Sequence, residues 1–216
     1  PDTPAGKYRA LVNQLDHNIG RVLAHLQTLG AVHNTLIVLV SDNGGTSASV
    51  DSNAPFSGNK NTLTEGGLRT PLVIKWPDNG INGQVISDVV FIEDIYPTLL
   101  ESIGVASPAD LDGNSLYSAV KKRVSIGARE RYWDHSMTHD WVSYTGLSSD
   151  GRWRLHQRPP QWGVTFDPRM FDLKLDPTAR QPVVPAPPIQ LAKMIENYQA
   201  WYRDVHTVNT TYLANN

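Results

Sequence analysis

Hydrophobic residues follow two different patterns in the first part of the chain. Between Tyr8 and Leu29, leucine, isoleucine and valine recur at steps of three and four, which predicts an α-helix with one apolar face. Gly30 comes next and suits the left-handed position that often ends a helix. Residues 36–40 form an unbroken apolar run, which is typical of a strand buried on both faces in a parallel sheet.

Further elements continue this alternation. Residues 71–76, "PLVIKW", predict a second strand, and residues 85–91 predict a third. Asp94 is a candidate cap for a helix that ends near Gly104. The order of elements predicts an α/β fold, with a partly parallel sheet flanked by helices.

The pattern changes after about residue 128. The stretch "WVSYTGLSSDGRWRLHQ" has two β-rich arms around Ser-Asp-Gly, which indicates a hairpin, and "RMFDLKL" predicts another strand. Four prolines between residues 182 and 188 indicate an extended connector, and Ile189 to Val205 predicts a closing helix. We therefore expect a domain at residues 1–127 and a small C-terminal subdomain at 128–216, built of an antiparallel sheet plus a helix.

Composition excludes several classes of function. The formal net charge of -2 argues against a nucleic-acid partner, and no run reaches the roughly 18 apolar residues of a membrane helix. There are no cysteines, so disulfides, thiolate metal sites and a cysteine nucleophile are excluded within this chain. The start at Pro1 shows no signal-peptide pattern, and we expect the chain to begin inside a larger protein.

An acid and an amide, Asp42 and Asn43, follow the apolar run directly. The carboxyl ends of parallel strands are where α/β folds bind ligands, and Gly44 and Gly45 allow a sharp turn and a close approach. Carboxylate and amide oxygens suit a hard cation, Ca²⁺ or alternatively Mg²⁺. The same residues also suit a plain turn. Two ligands alone cannot fill a coordination sphere.

Lys60 lies in the polar loop "SGNKNTLTEGGLRTP" between the first two predicted strands. Its ammonium could meet a phosphate or sulfate oxygen bound to a metal at the same sheet edge. Alternatively it is simply solvated. Glu65 and Arg69 are interpreted as residues that brace this loop.

Six segments, in this order, resemble the C-terminal portion of a type I sulfatase, the formylglycine-dependent group of the alkaline-phosphatase-like superfamily. The segments are "YRALVNQLDHNIGRVLAHLQTLG", "NTLIVLVSDNGG", "SGNKNTLTEGGLRTPLVIKWP", "DVVFIEDIYPTLLESIG", "LDGNSL" and "MFDLKLDP". The resemblance implies that Asp42 and Asn43 are ligands of the family's calcium site. It implies that Lys60 contacts the sulfate group and stabilises charge on the leaving oxygen.

The resemblance also implies parts that this chain lacks. The family's formylglycine nucleophile arises from a Cys/Ser-x-Pro-x-Arg motif, which is absent here, and the other calcium ligands lie on an earlier strand. We therefore expect a fragment of a sulfatase that acts on aryl sulfates or sulfated sugars and is inactive alone. Its partners would be the sulfate ester and the missing N-terminal segment. The family resemblance implies a periplasmic, secreted or lysosomal location.

Two histidines, His135 and His139, lie among aromatic residues in "WDHSMTHDW". They could bind a sugar substrate, although a packed aromatic loop explains the same pattern.

Two other functions stay open. Related metal-dependent phosphatases, phosphodiesterases and phosphonate hydrolases usually have Asp-His after this strand, so Asn43 favours sulfate chemistry. The other open function is that of a remnant domain, which binds an ion or a partner without catalysis.

Overall fold

The computed structural model describes residues 2–46, 53–77, 83–135, 144–157 and 168–214, with side chains through residue 205. The helices are α1 Pro4–Thr28, α2 Glu65–Leu68, α3 Ile95–Ser102, α4 Tyr117–Lys122 and α5 Pro188–Ala214. The strands are β1 Ile37–Val40, β2 Leu72–Lys75, β3 Arg131–Asp134, β4 Tyr144–Leu147, β5 Trp153–Gln157 and β6 Arg169–Asp172.

The chain divides into two compact units. The first contains residues 1–52 and 69–127, and the second contains residues 53–68 and 128–216. The segment that carries Lys60 therefore belongs to the second unit, although in sequence it lies between the two strands of the first. The expected division into a domain at residues 1–127 and a small C-terminal subdomain at 128–216 stays a prediction.

Helix α1 confirms the periodicity of its sequence. Its first turn is capped by Thr3, whose hydroxyl accepts the Gly6 N–H at 3.1 Å, and Gly30 follows its end with φ of +67°. The apolar face is open: Leu15 is 58% exposed and Val22 is 61% exposed. This stripe has the pattern of a buried helix face, yet the described part of the first unit leaves it uncovered.

Strands β1 and β2 pair antiparallel, with Ile37 opposite Lys75 and Val40 opposite Leu72. The parallel pairing expected from the continuous apolar run is wrong for these strands, and the described strands include no parallel pair. Burial on both faces is also wrong for β1, since Leu39 is 45% exposed. The run of aliphatic residues specified a strand correctly, but it carried no information about the partner's direction.

The predicted third strand at residues 85–91 does not form. Val85 is 89% exposed, and the side chain of Asp88 accepts hydrogen bonds from the Ser125 hydroxyl and the Ile126 N–H. Side-chain contacts, rather than a strand ladder, therefore hold this segment.

The predicted helix after it is confirmed as α3. The carboxylate of Asp94 is fully buried and accepts the N–H groups of Phe91 and Asn114, each at 2.8 Å. It therefore ties the start of α3 to the loop that precedes α4, instead of capping a free helix end.

The second unit is a four-stranded antiparallel sheet, in the order β3-β4-β5-β6, with α5 packed on it. The hairpin of β4 and β5, strand β6 and helix α5 were all predicted from sequence and are confirmed. The buried cluster centres on Met194 and Tyr198 of α5, which pack with residues of all four strands. The ring of Tyr198 stacks on that of Tyr144 with centroids 3.6 Å apart. These aromatic and aliphatic contacts fix the helix on the sheet.

No helix among the described residues has both the length and the apolar character needed to span a membrane.

Candidate functional site

Asp42 and Asn43 lie in the turn that follows β1. Asp42 is exposed and Asn43 is half-buried, and the hydroxyl of Ser41 donates to the backbone oxygen of Asn43 at 3.0 Å. The Ser41 N–H donates to the oxygen of Pro71 at 3.3 Å, which anchors the start of this turn beside β2. The two side chains thus leave the end of a paired strand, and their oxygens suit a hard cation.

The described residues contain no group of three or more His, Asp or Glu side chains placed to hold a metal ion. Ca²⁺ takes six to eight oxygens, so Asp42 and Asn43 could supply at most part of a coordination sphere. Their assignment as ligands stays a prediction.

Lys60 is exposed at the tip of a loop that is closed by its own hydrogen bonds. The Thr62 N–H donates to the oxygen of Asn59 at 3.0 Å, and Asn61 has φ of +74°. This is a tight turn with Lys60 and Asn61 at its two central positions. The Thr62 hydroxyl donates to the same oxygen of Asn59 at 2.8 Å. The lysine side chain therefore rises from a backbone of fixed shape.

Gly66 and Gly67 pack directly against the backbone of this loop. The Gly66 N–H donates to the oxygen of Ser57 at 2.7 Å, and a Cβ on Gly66 would lie 2.4 Å from the oxygen of Gly58. A Cβ on Gly67 would lie 2.0 Å from the oxygen of Thr62. Only glycine allows the loop backbone to approach the first turn of α2 so closely.

A buried ion pair lies at the base of the loop. The Arg154 Nε donates to Glu65 Oε1 at 2.6 Å, and the two side chains are 6% and 0% exposed. The guanidinium also lies over the ring of Trp133, 5.1 Å from its centroid. The pair ties the residue that follows the loop to the sheet, as expected of a bracing residue, and the same role for Arg69 stays a prediction. The partner of Glu65, Arg154, was missed, because a pair 89 residues apart leaves no periodic signal in the sequence.

The histidines have different positions. His135 directly follows β3 and is half-buried, while His139 lies outside the described residues. Substrate binding by either one stays a prediction. His156 is buried on β5 with its ring 4.8 Å from that of Phe171. Burial, together with the charges of Arg154 and Arg169, lowers the pKa of His156 to about 3, so its ring is neutral at physiological pH.

An open groove of about 380 Å³ also lies in the second unit, lined by Glu130, Arg131, Tyr132, Asn197, Ala200 and Trp201. None of the predicted site residues lines it. The groove and the Lys60 loop therefore share no residues.

Two family models match the sequence. The model described as "Sulfatase" matches residues 3–105, and the model described as "N-sulphoglucosamine sulphohydrolase, C-terminal" matches residues 58–201. The second match alone covers more than half of the chain and includes the Lys60 loop and the four-stranded sheet.

Named relatives match along different lengths. N-acetylgalactosamine-6-sulfatase of Mus musculus is 36% identical, over 54% of this chain and 24% of its own length. Steryl-sulfatase of Rattus norvegicus is 26% identical, over 90% of this chain and 39% of its own length. The chain thus spans well under half the length of these relatives.

Solved structures share the fold at low identity. A protein crystallised with k-i-k-neocarrahexaose has a TM-score of 0.77 at 22% identity, over 93% of this chain and 44% of that protein. One in complex with its substrate D-glucosamine-2-N,6-O-disulfate has a TM-score of 0.69 at 24% identity, over 89% and 40%. Phosphonate monoester hydrolase of Silicibacter pomeroyi has a TM-score of 0.62 at 24% identity, over 88% and 38%.

Proposed function

Since the chain belongs to the sulfatase family, we propose that it is the C-terminal portion of an enzyme that hydrolyses sulfate esters. The observation that carries this proposal is the match of residues 58–201 to a sulfohydrolase C-terminal model. That range holds the Lys60 loop together with the sheet to which Glu65 is paired.

Sulfated sugars are the substrate class that we propose. The support is chemical likeness among the relatives: one is named for N-acetylgalactosamine 6-sulfate, and one solved structure holds a disulfated glucosamine. Aryl sulfates serve as activated test substrates, because their leaving groups need less stabilisation.

Lys60 is proposed as the cation that contacts the sulfate group and offsets charge on the departing oxygen. A lysine ammonium offers three donors and no acceptor, so it can bind only electron-rich atoms. Its loop is closed by internal hydrogen bonds before any substrate arrives. A donor held in place in advance stabilises developing charge without first reorganising.

Asp42 and Asn43 are proposed as two ligands of a divalent cation, Ca²⁺ or alternatively Mg²⁺, since both donors are oxygens and hard cations prefer oxygen ligands. When bound, such a cation would neutralise charge on sulfate oxygens and orient the ester. The part of this chain in that chemistry is to present one carboxylate and one amide oxygen at the end of β1.

The nucleophile is proposed to come from an N-terminal segment outside this chain, as a formylglycine. The exposed apolar stripe of α1 supports a covering segment, since large apolar faces are seldom left in water. Leu39 and Val73, which are 45% and 57% exposed on the paired strands, support it in the same way.

A phosphonate or phosphate ester hydrolase is the second candidate function. The fold shared with phosphonate monoester hydrolase favours it. Against it stands Asn43, because a second metal in such enzymes is usually held by an imidazole at that place.

The test is a substrate panel on the complete gene product that contains this chain. We expect kcat/KM to be highest for a sulfated amino sugar, measurable for 4-nitrophenyl sulfate, and far lower for a phosphonate monoester. The 216-residue chain assayed alongside should show little or no turnover. Preference for the phosphonate ester, or robust activity of the short chain, would overturn the proposal.

A further inference from the structure

The buried pair of Glu65 and Arg154 joins two parts of the second unit that are far apart in sequence. Glu65 is the first residue of α2, directly after the loop that holds Lys60, and Arg154 lies in the middle of the sheet on β5. Both side chains are almost entirely shielded from solvent. Charges in such a place must meet in a fixed geometry, because the surroundings replace little of the lost hydration.

The loop side of this pair is rigid. Thr64 follows the turn that contains Lys60, and its hydroxyl donates to the oxygen of Ser57 at 2.8 Å. The Asn53 side-chain amide donates to the oxygen of Gly58 at 3.0 Å. These bonds join residues on both sides of the Lys60 turn into one hydrogen-bonded segment that ends at Glu65, so we expect a shift of Glu65 to displace the Lys60 backbone as well.

The sheet side is equally constrained. Arg154 is opposite Leu147 on β4 and Phe171 on β6, so its backbone is held by ladders on both sides. Its guanidinium is further restrained by the ring of Trp133. The Nε donor is thus held beside Glu65 Oε1.

We propose that the Glu65–Arg154 pair is a positioning device that sets the place of the Lys60 ammonium relative to the sheet. The proposal rests on the proposed function, in which Lys60 offsets charge on the departing oxygen of the ester. Glu65 and Arg154 do not touch the substrate; they act through the loop. The alternative is that the pair only holds the fold together.

Leaving-group dependence separates these two roles. If Lys60 is displaced, phenyl sulfate should suffer more than 4-nitrophenyl sulfate, because its leaving oxygen carries more charge that needs stabilisation. A fold defect that merely reduces the number of active molecules lowers kcat/KM for both substrates by the same factor.

The experiment uses the complete gene product with Glu65→Gln, Lys60→Ala and the double variant. For Glu65→Gln we expect a loss of kcat/KM on the order of ten- to a hundredfold with phenyl sulfate, and a smaller loss with 4-nitrophenyl sulfate. The double variant should be no worse than Lys60→Ala, because the lysine through which Glu65 acts is already gone.

Arg152→Gln is the matched control. Arg152 Nη2 contacts Asp172 Oδ2 at 2.6 Å, where β5 begins and β6 ends, and neither residue belongs to the loop. It should change neither substrate's kcat/KM by more than about twofold. Should Glu65→Gln fail to fold, Arg154→Lys keeps the charge but loses the fixed Nε donor, and we expect the same leaving-group pattern from it.

Equal losses on both substrates, multiplying with the loss from Lys60→Ala, would overturn the positioning role while leaving the proposed function intact. If Lys60→Ala alone leaves kcat/KM unchanged, the role of Lys60 in the proposed function fails, and the positioning role fails with it.

Discussion

Gly67 gives a sharp test of how the Lys60 loop is built. In Gly67→Ala, the new Cβ would lie 2.0 Å from the oxygen of Thr62, 2.7 Å from that of Asn59 and 2.8 Å from the Thr62 hydroxyl. Two of these three atoms are backbone, so the loop must withdraw by about 1 Å or more before the methyl group fits. Overpacking of this kind costs about 1–3 kcal/mol, and the better helix propensity of alanine recovers only up to about 1 kcal/mol.

A net loss of roughly 1–2 kcal/mol raises the population of open loop about five- to thirtyfold, since 1.4 kcal/mol corresponds to a factor of ten. Hydrogen exchange of peptides covering residues 57–64, followed by mass spectrometry, measures this opening directly. In the complete enzyme the same displacement should lower kcat/KM, because errors of about 1 Å in placement can cost up to a hundredfold.

Gly20→Ala is the matched control, because no atom lies within 4 Å of a Cβ built at Gly20 on α1. It should stabilise the chain by about 0.5–1 kcal/mol and leave exchange of the loop unchanged. If Gly67→Ala behaved in the same way, the close packing of Gly67 against the loop backbone would be refuted.

Three further predictions follow from the same structure. Met194→Ala truncates a side chain that is 0% exposed and should lower the free energy of unfolding, measured by urea titration, by about 2–5 kcal/mol. Ile189→Ala, at an 86% exposed site on the same helix, should change it by less than about 0.5 kcal/mol. Equal effects of the two substitutions would contradict the assigned core. Burial lowers the pKa of His156 to about 3 in the folded chain. Between that pH and about 6.5, the unfolded chain therefore binds a proton that the folded chain does not. The free energy of unfolding should fall as pH drops below about 6.5, by up to about 1.4 kcal/mol per pH unit. His156→Phe should remove that slope between pH 6 and about pH 4, and an unchanged slope would show that other groups cause it. In the complete gene product, Asp42→Asn should raise the calcium concentration needed for half-maximal thermal stabilisation at least about tenfold, and an unchanged calcium response would exclude Asp42 as a ligand.

Elements with a strong local pattern could be predicted from sequence. Helix α1 follows from steps of three and four, and the hairpin of β4 and β5 follows from β-rich arms around Asp150 and Gly151. The strand expected at residues 85–91 did not form, although its β-branched residues favour one. The contacts of Asp88 with residues 125 and 126 are tertiary, and local propensity does not register them.

The candidate site divides in the same way. A turn at Lys60 is readable from Gly58 and Asn61, since both residues accept positive φ. That the turn belongs to the C-terminal sheet is not readable, because the contact that places it there is the pair of Glu65 and Arg154. Likewise, the direction of β1 relative to β2 depends on the path of the intervening chain, which an apolar run does not encode.

The most direct test of the central claim is the kinetics of Lys60→Ala in the complete gene product, with a sulfated amino sugar as substrate. Loss of one preorganised donor to a developing charge should lower kcat on the order of 10²- to 10³-fold, with unchanged thermal unfolding. Because Lys60 is exposed at the tip of a loop closed by other residues, its removal should not disturb the fold. A kcat within about threefold of the unmodified enzyme would contradict the assignment of Lys60 to the sulfate site.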